Sequence, residues 1–279
     1  MSNFASIRTD RGTRAVRIDG DRAVELNYAD VGDLLRSGSA WRRRAEAVGG
    51  EELPVSELDF APPVTTPEKI ICVGLNYADH AAETGKETPS YPQLFAKFAL
   101  ALIGAHDTIE LPDCSDQIDW EAELALVIGA PARHVSEADA HSYVAGYTVA
   151  NDVSVRDWQR RTGQYLQGKT FEATTPVGPW MVPAEDLDAG DLRITCEVDG
   201  ETVQDISTRD MIFGPAALVS YISQIITLDP GDLIITGTGA GIGARRTPPR
   251  YLTEGNVLTT SIEGIGTIEN RCLAPAVAR

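Results

Sequence analysis

Residues 120–128 read Trp-Glu-Ala-Glu-Leu-Ala-Leu-Val-Ile, an apolar run interrupted only by two acids, Glu121 and Glu123. A short continuous apolar run of this kind predicts a buried strand over residues 121–128. Side chains two positions apart in a strand point to the same face, so the two carboxylates are expected side by side. Buried like charges are costly, so a cation between them is the simplest interpretation. Solvated acids at an exposed sheet edge are the alternative.

A second apolar strand is predicted over residues 145–151, and it ends in a third acid, Asp152. Three carboxylates at the ends of two strands, with no His or Cys beside them, favour an all-oxygen site for Mg²⁺, Mn²⁺ or Ca²⁺. The sequence therefore predicts a metal site with Mg²⁺ as the default ion.

The chain around these two strands is predicted to contain many strands and few helices. The strongest helical pattern covers residues 215–228, where the apolar residues form one stripe. So few helices between so many strands argue against a regularly alternating parallel α/β fold. Further strands are predicted at residues 70–73, 94–98, 192–198, 233–236, 257–262 and 267–270, with a hairpin after residue 198, and shorter helices at residues 76–84 and 136–143.

Residues 1–65 differ from the rest of the chain. Short alternating runs separated by glycine-containing turns precede an arginine-rich helical stretch at residues 31–48. Residues 58–68 contain three prolines and no periodicity, which predicts a linker. We therefore expect a small β-rich N-terminal lobe over residues 1–65 and a catalytic domain over residues 66–279.

The composition excludes several classes of function. The 279 residues include 24 Lys and Arg against 41 Asp and Glu, a formal net charge of −17 that opposes nucleic-acid binding. No apolar run approaches the roughly 20 residues of a membrane span, and the N-terminus has no hydrophobic signal segment. We expect a cytoplasmic protein without a membrane partner. The four cysteines are far apart and are interpreted as reduced thiols.

Two glycine-containing motifs do not fit nucleotide binding. Residues 163–170 match the phosphate-loop pattern G-x-x-x-x-G-K-[ST], but a phosphate loop needs a buried strand before it and a helix after it. The flanking residues favour neither element, so Lys169 is assigned another role. The glycine-rich residues 237–243 also lack a following helix, which indicates a loop where backbone approaches another group closely.

A histidine and a glutamate are spaced to act together. His80 and Glu83 lie three positions apart in the short helix predicted at residues 76–84. This spacing lets the carboxylate orient the imidazole, which is a common preparation of a general base near neutral pH. A surface histidine without a chemical role is the alternative.

Motifs in five regions together resemble the fumarylacetoacetate hydrolase family over about residues 70–271. The resemblance implies an α+β, mostly β fold with a mixed β-roll like the family's C-terminal domain, a magnesium or manganese site, and usually a homodimer. The length indicates a small bacterial-type member. The motifs are G-L-N-Y-x-x-H-x-x-E at residues 74–83, F-A-K at 95–97, D-W-E-x-E-L at 119–124, G-Y-T-V-A-N-D-V-S-V-R-D-W-Q at 146–159 with Lys169, and G-D-L-I-I-T-G-T at 231–238.

The resemblance also implies roles for individual residues. His80 with Glu83 resembles the pair that activates water, and Lys169 resembles the lysine that steadies negative charge on the substrate. The expected metal ligands are Glu121, Glu123 and Asp152, and the residues expected near the substrate are Lys97, Arg156, Gln159 and Thr238.

The family's cytosolic enzymes cleave or rearrange small 2-oxo or 1,3-dicarbonyl acids, as in the catabolism of aromatic compounds. A metal-stabilised enolate would serve C–C hydrolysis of an acylpyruvate or 1,3-diketo acid, decarboxylation of an oxaloacetate-like acid, or isomerisation of a 2-hydroxy-dienedioate. The His80–Glu83 pair favours hydrolysis. A non-catalytic metabolite-binding protein is less expected, because it has no use for such a pair.

Overall fold

The computed structural model describes residues 2–275, and most of its regular structure is β-strand. Residue 1 and residues 276–279 of the two expected domains lie outside the described residues. The strands are β1 (Asn3–Thr9), β2 (Gly12–Asp19), β3 (Arg22–Glu25), β4 (Glu52–Pro54), β5 (Phe60–Ala61), β6 (Ile70–Gly74), β7 (Gln93–Lys97), β8 (Leu102–Ile103), β9 (Ile109–Glu110), β10 (Ile118–Asp119), β11 (Ala122–Ile128), β12 (Val144–Asn151), β13 (Ser154–Val155), β14 (Thr175–Pro183), β15 (Arg193–Val198), β16 (Glu201–Ser207), β17 (Leu233–Ile235), β18 (Val257–Ile262) and β19 (Gly266–Leu273).

The helices are few and short. The longest is α6, which begins at Pro215, a residue suited to a first helical turn. The α+β, mostly β class is therefore confirmed. The α-helices are α1 (Val31–Arg36), α2 (Trp41–Glu46), α3 (Ala78–Thr84), α4 (Arg156–Gln159), α5 (Leu166–Lys169) and α6 (Pro215–Ile225), and short 3-10 helices lie at Val55–Glu57, Ala99–Ala101, Ala140–Tyr143, Ala184–Asp186, Thr208–Asp210 and Gly243–Arg245.

A large mixed sheet carries the predicted acidic strand at its centre. Its strand order is β4-β3-β2-β1-β14-β12-β11-β17-β6-β7, with β5 on β1 and β8 on β14. Strand β11 pairs antiparallel with β12 and β17, and all seven of its residues are buried. The register sets Ala122 opposite Asn151, which brings the start of β11 next to the end of β12.

A second sheet, β16-β15-β18-β19-β9, packs against the first. The two sheets share one buried apolar cluster, to which Leu124 and Val149 contribute from the first sheet and Ile194 and Leu258 from the second. Another buried cluster, around Leu34 and Trp41, joins α1 and α2 to the large sheet. The burial of both faces explains why β11 is apolar at nearly every position.

The N-terminal strands extend the large sheet. Strand β1 pairs with β14 through Phe4 and Met181, and it also pairs with β5. Strand β5 lies inside the segment expected to be a linker, so that expectation is corrected. Strand β5 has only two residues and is followed by two prolines, so the sequence pattern did not predict it, although it pairs with one edge of β1. The boundary near residue 65 stays a prediction.

Three further expectations differ from the structure. The helical stretch at residues 31–48 is two helices, because Gly38 between them has a left-handed backbone with φ of 103°. The helix expected at residues 136–143 is only the 3-10 turn Ala140–Tyr143. Strand β14 was not predicted, because its three prolines break the usual strand pattern. Within residues 2–275, no helix is both long enough and apolar enough to cross a membrane.

Candidate active site

Three buried carboxylates meet at the adjoining ends of β11 and β12. One oxygen from each of Glu121, Glu123 and Asp152 lies within 4.8 Å of the others. The backbone N–H of Asp152 donates to the carbonyl of Glu121 at 2.8 Å, which fixes the two chain segments side by side. The structure therefore brings together the three residues that the sequence predicts as metal ligands.

Three buried cations surround these carboxylates. Lys169 Nζ donates to Glu121 Oε2 at 2.6 Å and to Asp152 Oδ2 at 2.7 Å. Lys97 Nζ donates to Asp152 Oδ1 at 2.6 Å, and Arg156 Nη1 donates to Glu121 Oε1 at 2.6 Å. Buried charges are tolerated only when paired in this way, so the network is strongly interdependent.

The pKa values of Glu121 and Glu123 are shifted in opposite directions. Burial by itself raises the pKa of Glu121, but the charges of Lys169 and Arg156 outweigh burial and lower that pKa to about 2. Burial and the two neighbouring carboxylates raise the pKa of Glu123 well above its usual range. Among the described residues Glu123 has no ion-pair partner, and its hydrogen bond comes from the Gly237 N–H. Glu123 is therefore the carboxylate that a bound cation would relieve most.

The donor set fits a hard divalent ion. All three groups offer oxygen, which Mg²⁺ and Mn²⁺ prefer, and each bonded carboxylate oxygen retains a second lone pair. With all four buried carboxylates of the cluster ionised, Asp119 included, one negative charge would exceed the three buried cations Lys97, Arg156 and Lys169 and would be left for a bound cation. The identity of the metal stays a prediction.

Asp119 is a further buried carboxylate of this cluster, and the sequence analysis did not assign it to the site. It ends β10, which pairs with β13 immediately before Arg156. Asp119 accepts hydrogen bonds from Arg156 Nε at 2.7 Å and from the backbone N–H groups of Gly243 at 2.7 Å and Ala244 at 3.0 Å. Its place two positions before Glu121 in the D-W-E-x-E-L motif was the available signal.

The predicted histidine–glutamate pair is formed on α3. His80 Nδ1 lies 3.1 Å from Glu83 Oε2, and Glu83 Oε1 accepts from the Gly241 N–H at 2.9 Å. Burial raises the pKa of Glu83, but the hydrogen bonds from His80 and Gly241 lower it to a value below normal. Glu83 therefore remains ionised near neutral pH and can hold the imidazole in one orientation. Asp79 on the same helix accepts from the Ala240 N–H at 3.2 Å.

A cavity of about 380 Å³ lies against this cluster. The cavity is not lined by four of the predicted site residues, Glu83, Lys97, Glu123 and Asp152. The amine of Lys97 donates instead to Asp152. The role of Lys97 at the substrate stays a prediction. The six predicted site residues that line the cavity are His80, Glu121, Arg156, Gln159, Lys169 and Thr238.

The glycine-rich loop forms one wall of the site. Gly237 has φ of 94°, and a Cβ atom there would lie 2.8 Å from the Val73 carbonyl oxygen, so the close approach requires glycine. Next to it, Thr238 Oγ1 donates to the Ala122 carbonyl at 2.9 Å and accepts from Gln204 Nε2 at 2.9 Å. Gln204 was not found from the sequence because it comes from the second sheet. The close backbone approach expected for this loop is confirmed.

Residues 163–170 match the phosphate-loop pattern, but they do not lie between a buried strand and a helix as a phosphate loop does. They follow the short helix α4, and Lys169 ends α5 with its amine on Glu121 and Asp152. The lysine thus belongs to the carboxylate cluster, in agreement with its assignment to another role.

Comparisons with known proteins show the family of the chain. The family described as "Fumarylacetoacetate (FAA) hydrolase C-terminal" matches residues 69–273. The human protein named oxaloacetate tautomerase FAHD2A, mitochondrial, is 46% identical over 265 residues, which cover 91% of this chain and 84% of that protein.

Solved structures share the fold of this chain over nearly its whole length. A putative HpcE protein from Mycobacterium smegmatis has a TM-score of 0.90 and 33% identity, with 99% of this chain and 100% of that chain covered. The 2-hydroxyhepta-2,4-diene-1,7-dioate isomerase from Mycobacterium marinum has a TM-score of 0.82 and 32% identity over the same shares. On these matches, the chain belongs to the fumarylacetoacetate hydrolase family of enzymes.

Proposed function

We propose that the protein is a divalent-metal-dependent tautomerase that moves a proton between carbon and oxygen in a small, oxaloacetate-like 2-oxo acid. The observation that carries this proposal is the oriented His80–Glu83 pair, whose histidine faces the same cavity as the carboxylate ligand Glu121. A relative that is 46% identical is named an oxaloacetate tautomerase, which supports this reaction over hydrolysis.

Glu121, Glu123 and Asp152 would hold a Mg²⁺ or Mn²⁺ ion. When bound, such an ion supplies Lewis acidity that polarises the keto oxygen of the substrate. Arg156 supplies binding, because it lines the cavity and its guanidinium charge is suited to a substrate carboxylate.

His80 would carry the proton. With Nδ1–H directed at Glu83, the other ring nitrogen, Nε2, is an acceptor. It removes a proton from the carbon next to the keto group, the C–H electron pair forms the C=C bond, and the carbonyl π pair moves to oxygen. That oxygen then takes a proton and gives the enol, so no co-reactant is consumed. Lys169 also lines the cavity, and its charge would stabilise the negative charge on that oxygen.

Hydrolysis of the C–C bond in an acylpyruvate or 1,3-diketo acid is the second candidate, because the same pair can take a proton from water. Water oxygen would add to the distal carbonyl, and the bond to the enol-forming carbon would break with protonation of the leaving fragment. Decarboxylation of oxaloacetate would need the metal but no attacking water.

One substrate panel tests these reactions. Enol and keto oxaloacetate are followed by ultraviolet absorbance, carbon dioxide release is measured in parallel, and an acylpyruvate is followed for cleavage, each with Mg²⁺ and with a chelator. Metal-dependent interconversion of the two oxaloacetate forms, faster than carbon dioxide release or acylpyruvate cleavage, is expected. Cleavage of the acylpyruvate without tautomerisation would replace the proposal with the hydrolase.

We also infer the homodimer that the family resemblance implies. Phe98 is 59% exposed and Leu100 is 73% exposed, and apolar side chains so close in sequence on the surface suit an interface. Light scattering during gel filtration measures the mass directly, and a monomeric mass would refute the dimer. The cytoplasmic location stays a prediction, since the human relative's name includes the word mitochondrial.

A further inference from the structure

Three exposed cations line the wall of the cavity. Lys86, Arg160 and Arg245 all line the cavity, all are exposed, and none forms an ion pair with any residue the structure describes. Their polar contacts are to neutral atoms: Lys86 Nζ to the Tyr165 hydroxyl at 3.3 Å, Arg160 Nη2 to Gln117 Oε1 at 2.5 Å, and Arg245 Nη2 to the Thr84 carbonyl at 3.5 Å.

The cavity wall carries positive charge although the chain as a whole is acidic. Acids outnumber bases in the whole chain by 41 to 24, yet Lys86, Arg160 and Arg245 all line the cavity. Among residues 2–275 the only carboxylate that lines the cavity is Glu121, which already pairs with two buried cations. Positive charge is therefore concentrated in a concave site, where a field is focused most strongly.

The three residues come from separate parts of the chain. Lys86 follows α3, Arg160 follows α4, and Arg245 ends the 3-10 turn Gly243–Arg245. The cavity residues of the carboxylate cluster are buried, whereas these three are exposed. The cavity is thus buried where it meets the cluster and is open where it meets the three cations, which we term the cationic rim.

We propose that the cationic rim, Lys86, Arg160 and Arg245, binds the second carboxylate of a dicarboxylic 2-oxo acid and thereby selects diacids over monoacids. The inference rests on the proposed function, since it takes the first carboxylate and the keto group to lie at the buried end. Charge-assisted hydrogen bonds from several cations hold one carboxylate well, and the acidic exterior disfavours anions elsewhere.

The test replaces the rim residues with glutamine, singly (Lys86→Gln, Arg160→Gln, Arg245→Gln) and together. The matched control is Arg22→Gln, which removes the same charge from an exposed arginine that does not line the cavity. Each protein is assayed with Mg²⁺ on oxaloacetate and on its 4-methyl ester, which lacks the distal charge.

KM for oxaloacetate is expected to rise about three- to tenfold per rim substitution, as for partly solvated charge-assisted hydrogen bonds, with a smaller change in kcat. KM for the methyl ester should stay constant across all proteins, and Arg22→Gln should match the wild type. Added salt should raise the oxaloacetate KM of the wild type more than that of the triple variant. Equal KM changes for the diacid and the ester would overturn the inference.

Calorimetry separates this inference from the proposed function. If the wild type does not turn over oxaloacetate, the proposed tautomerase fails, but binding of oxaloacetate in the presence of Mg²⁺ still tests the rim. Weaker binding to the triple variant than to the wild type and Arg22→Gln supports the rim. Equal binding, or none to the wild type, refutes it.

Discussion

Asp119→Asn is the most informative single substitution, because it removes one buried charge and almost no volume. The carboxylate is fully buried and accepts from Arg156 Nε, from its neighbour Trp120 N–H, and from the N–H groups of Gly243 and Ala244. An asparagine retains one acceptor oxygen but turns an NH₂ group toward donors. Arg156 then keeps only Glu121 as an anionic partner, and Glu121 is shared with Lys169.

The expected loss of stability follows from these contacts. Removing one partner of a buried ion pair costs about 3–5 kcal/mol, and here Arg156 loses one of its two anionic partners while buried N–H donors are left facing an NH₂ group. For a chain of this length about 2–3 °C of Tm corresponds to each kcal/mol, so Tm should fall by about 6–15 °C. The loss is a large share of the roughly 5–15 kcal/mol that stabilises a typical domain.

Urea unfolding followed by tryptophan fluorescence measures the free energy of unfolding. The control is Asp205→Asn, an exposed partner of Arg193 that should change stability by less than about 1 kcal/mol. A double variant with Arg156→Met should lose less than the sum of the two single variants, because neither charge is then left buried alone. The reasoning is refuted if Asp119→Asn is no more destabilising than Asp205→Asn, or if the two losses add.

Three other predictions concern the site. Chelation should abolish tautomerisation and Mg²⁺ or Mn²⁺ should restore it, while Glu123→Ala should remove metal binding in calorimetry; full activity after exhaustive chelation would exclude the metal. His80→Ala should lower tautomerisation by about 10² to 10⁴, the usual contribution of a positioned base, with metal affinity kept, and Glu83→Gln should do so more weakly. An equal loss of metal affinity would show that His80 shapes the site instead. Because the pKa of Glu83 is lowered by folding, its contribution to stability is present above the ordinary glutamate value and disappears as pH falls through the lowered one. The stability difference between the wild type and Glu83→Gln, measured by unfolding from pH 7 to pH 3, should therefore shrink on acidification, and a constant difference would contradict this assignment.

Local rules of strand geometry predicted the centre of the site. Glu121 and Glu123 are two positions apart on a buried strand, so their common direction follows from the strand repeat alone. Asp152 needed only the further inference that a second strand ends nearby. The His80–Glu83 contact follows from helical spacing in the same way.

Contacts between distant segments could not be predicted from local rules. Asp119 meets Gly243 across 124 residues of chain, Gln204 meets Thr238 only after the two large sheets have packed, and no sequence period encodes these contacts. The alternating N-terminal runs predicted strands, but alternation does not identify a partner, so the pairing of β1 with β14 was hidden. Strand β14 was not predicted because it contains three prolines, and proline within an apolar run normally argues against a strand.

The glycine-rich loop has a consequence for anyone who redesigns this enzyme. Its backbone N–H groups at Ala240 and Gly241 hold the acids of α3, and those at Gly243 and Ala244 hold Asp119. One short segment thus positions both Glu83, the partner of His80, and Asp119, the partner of Arg156, through atoms that every residue except proline possesses. Libraries that vary exposed side chains such as Arg245 at constant loop length keep this framework, whereas a deletion, an insertion or a proline would disturb both groups together.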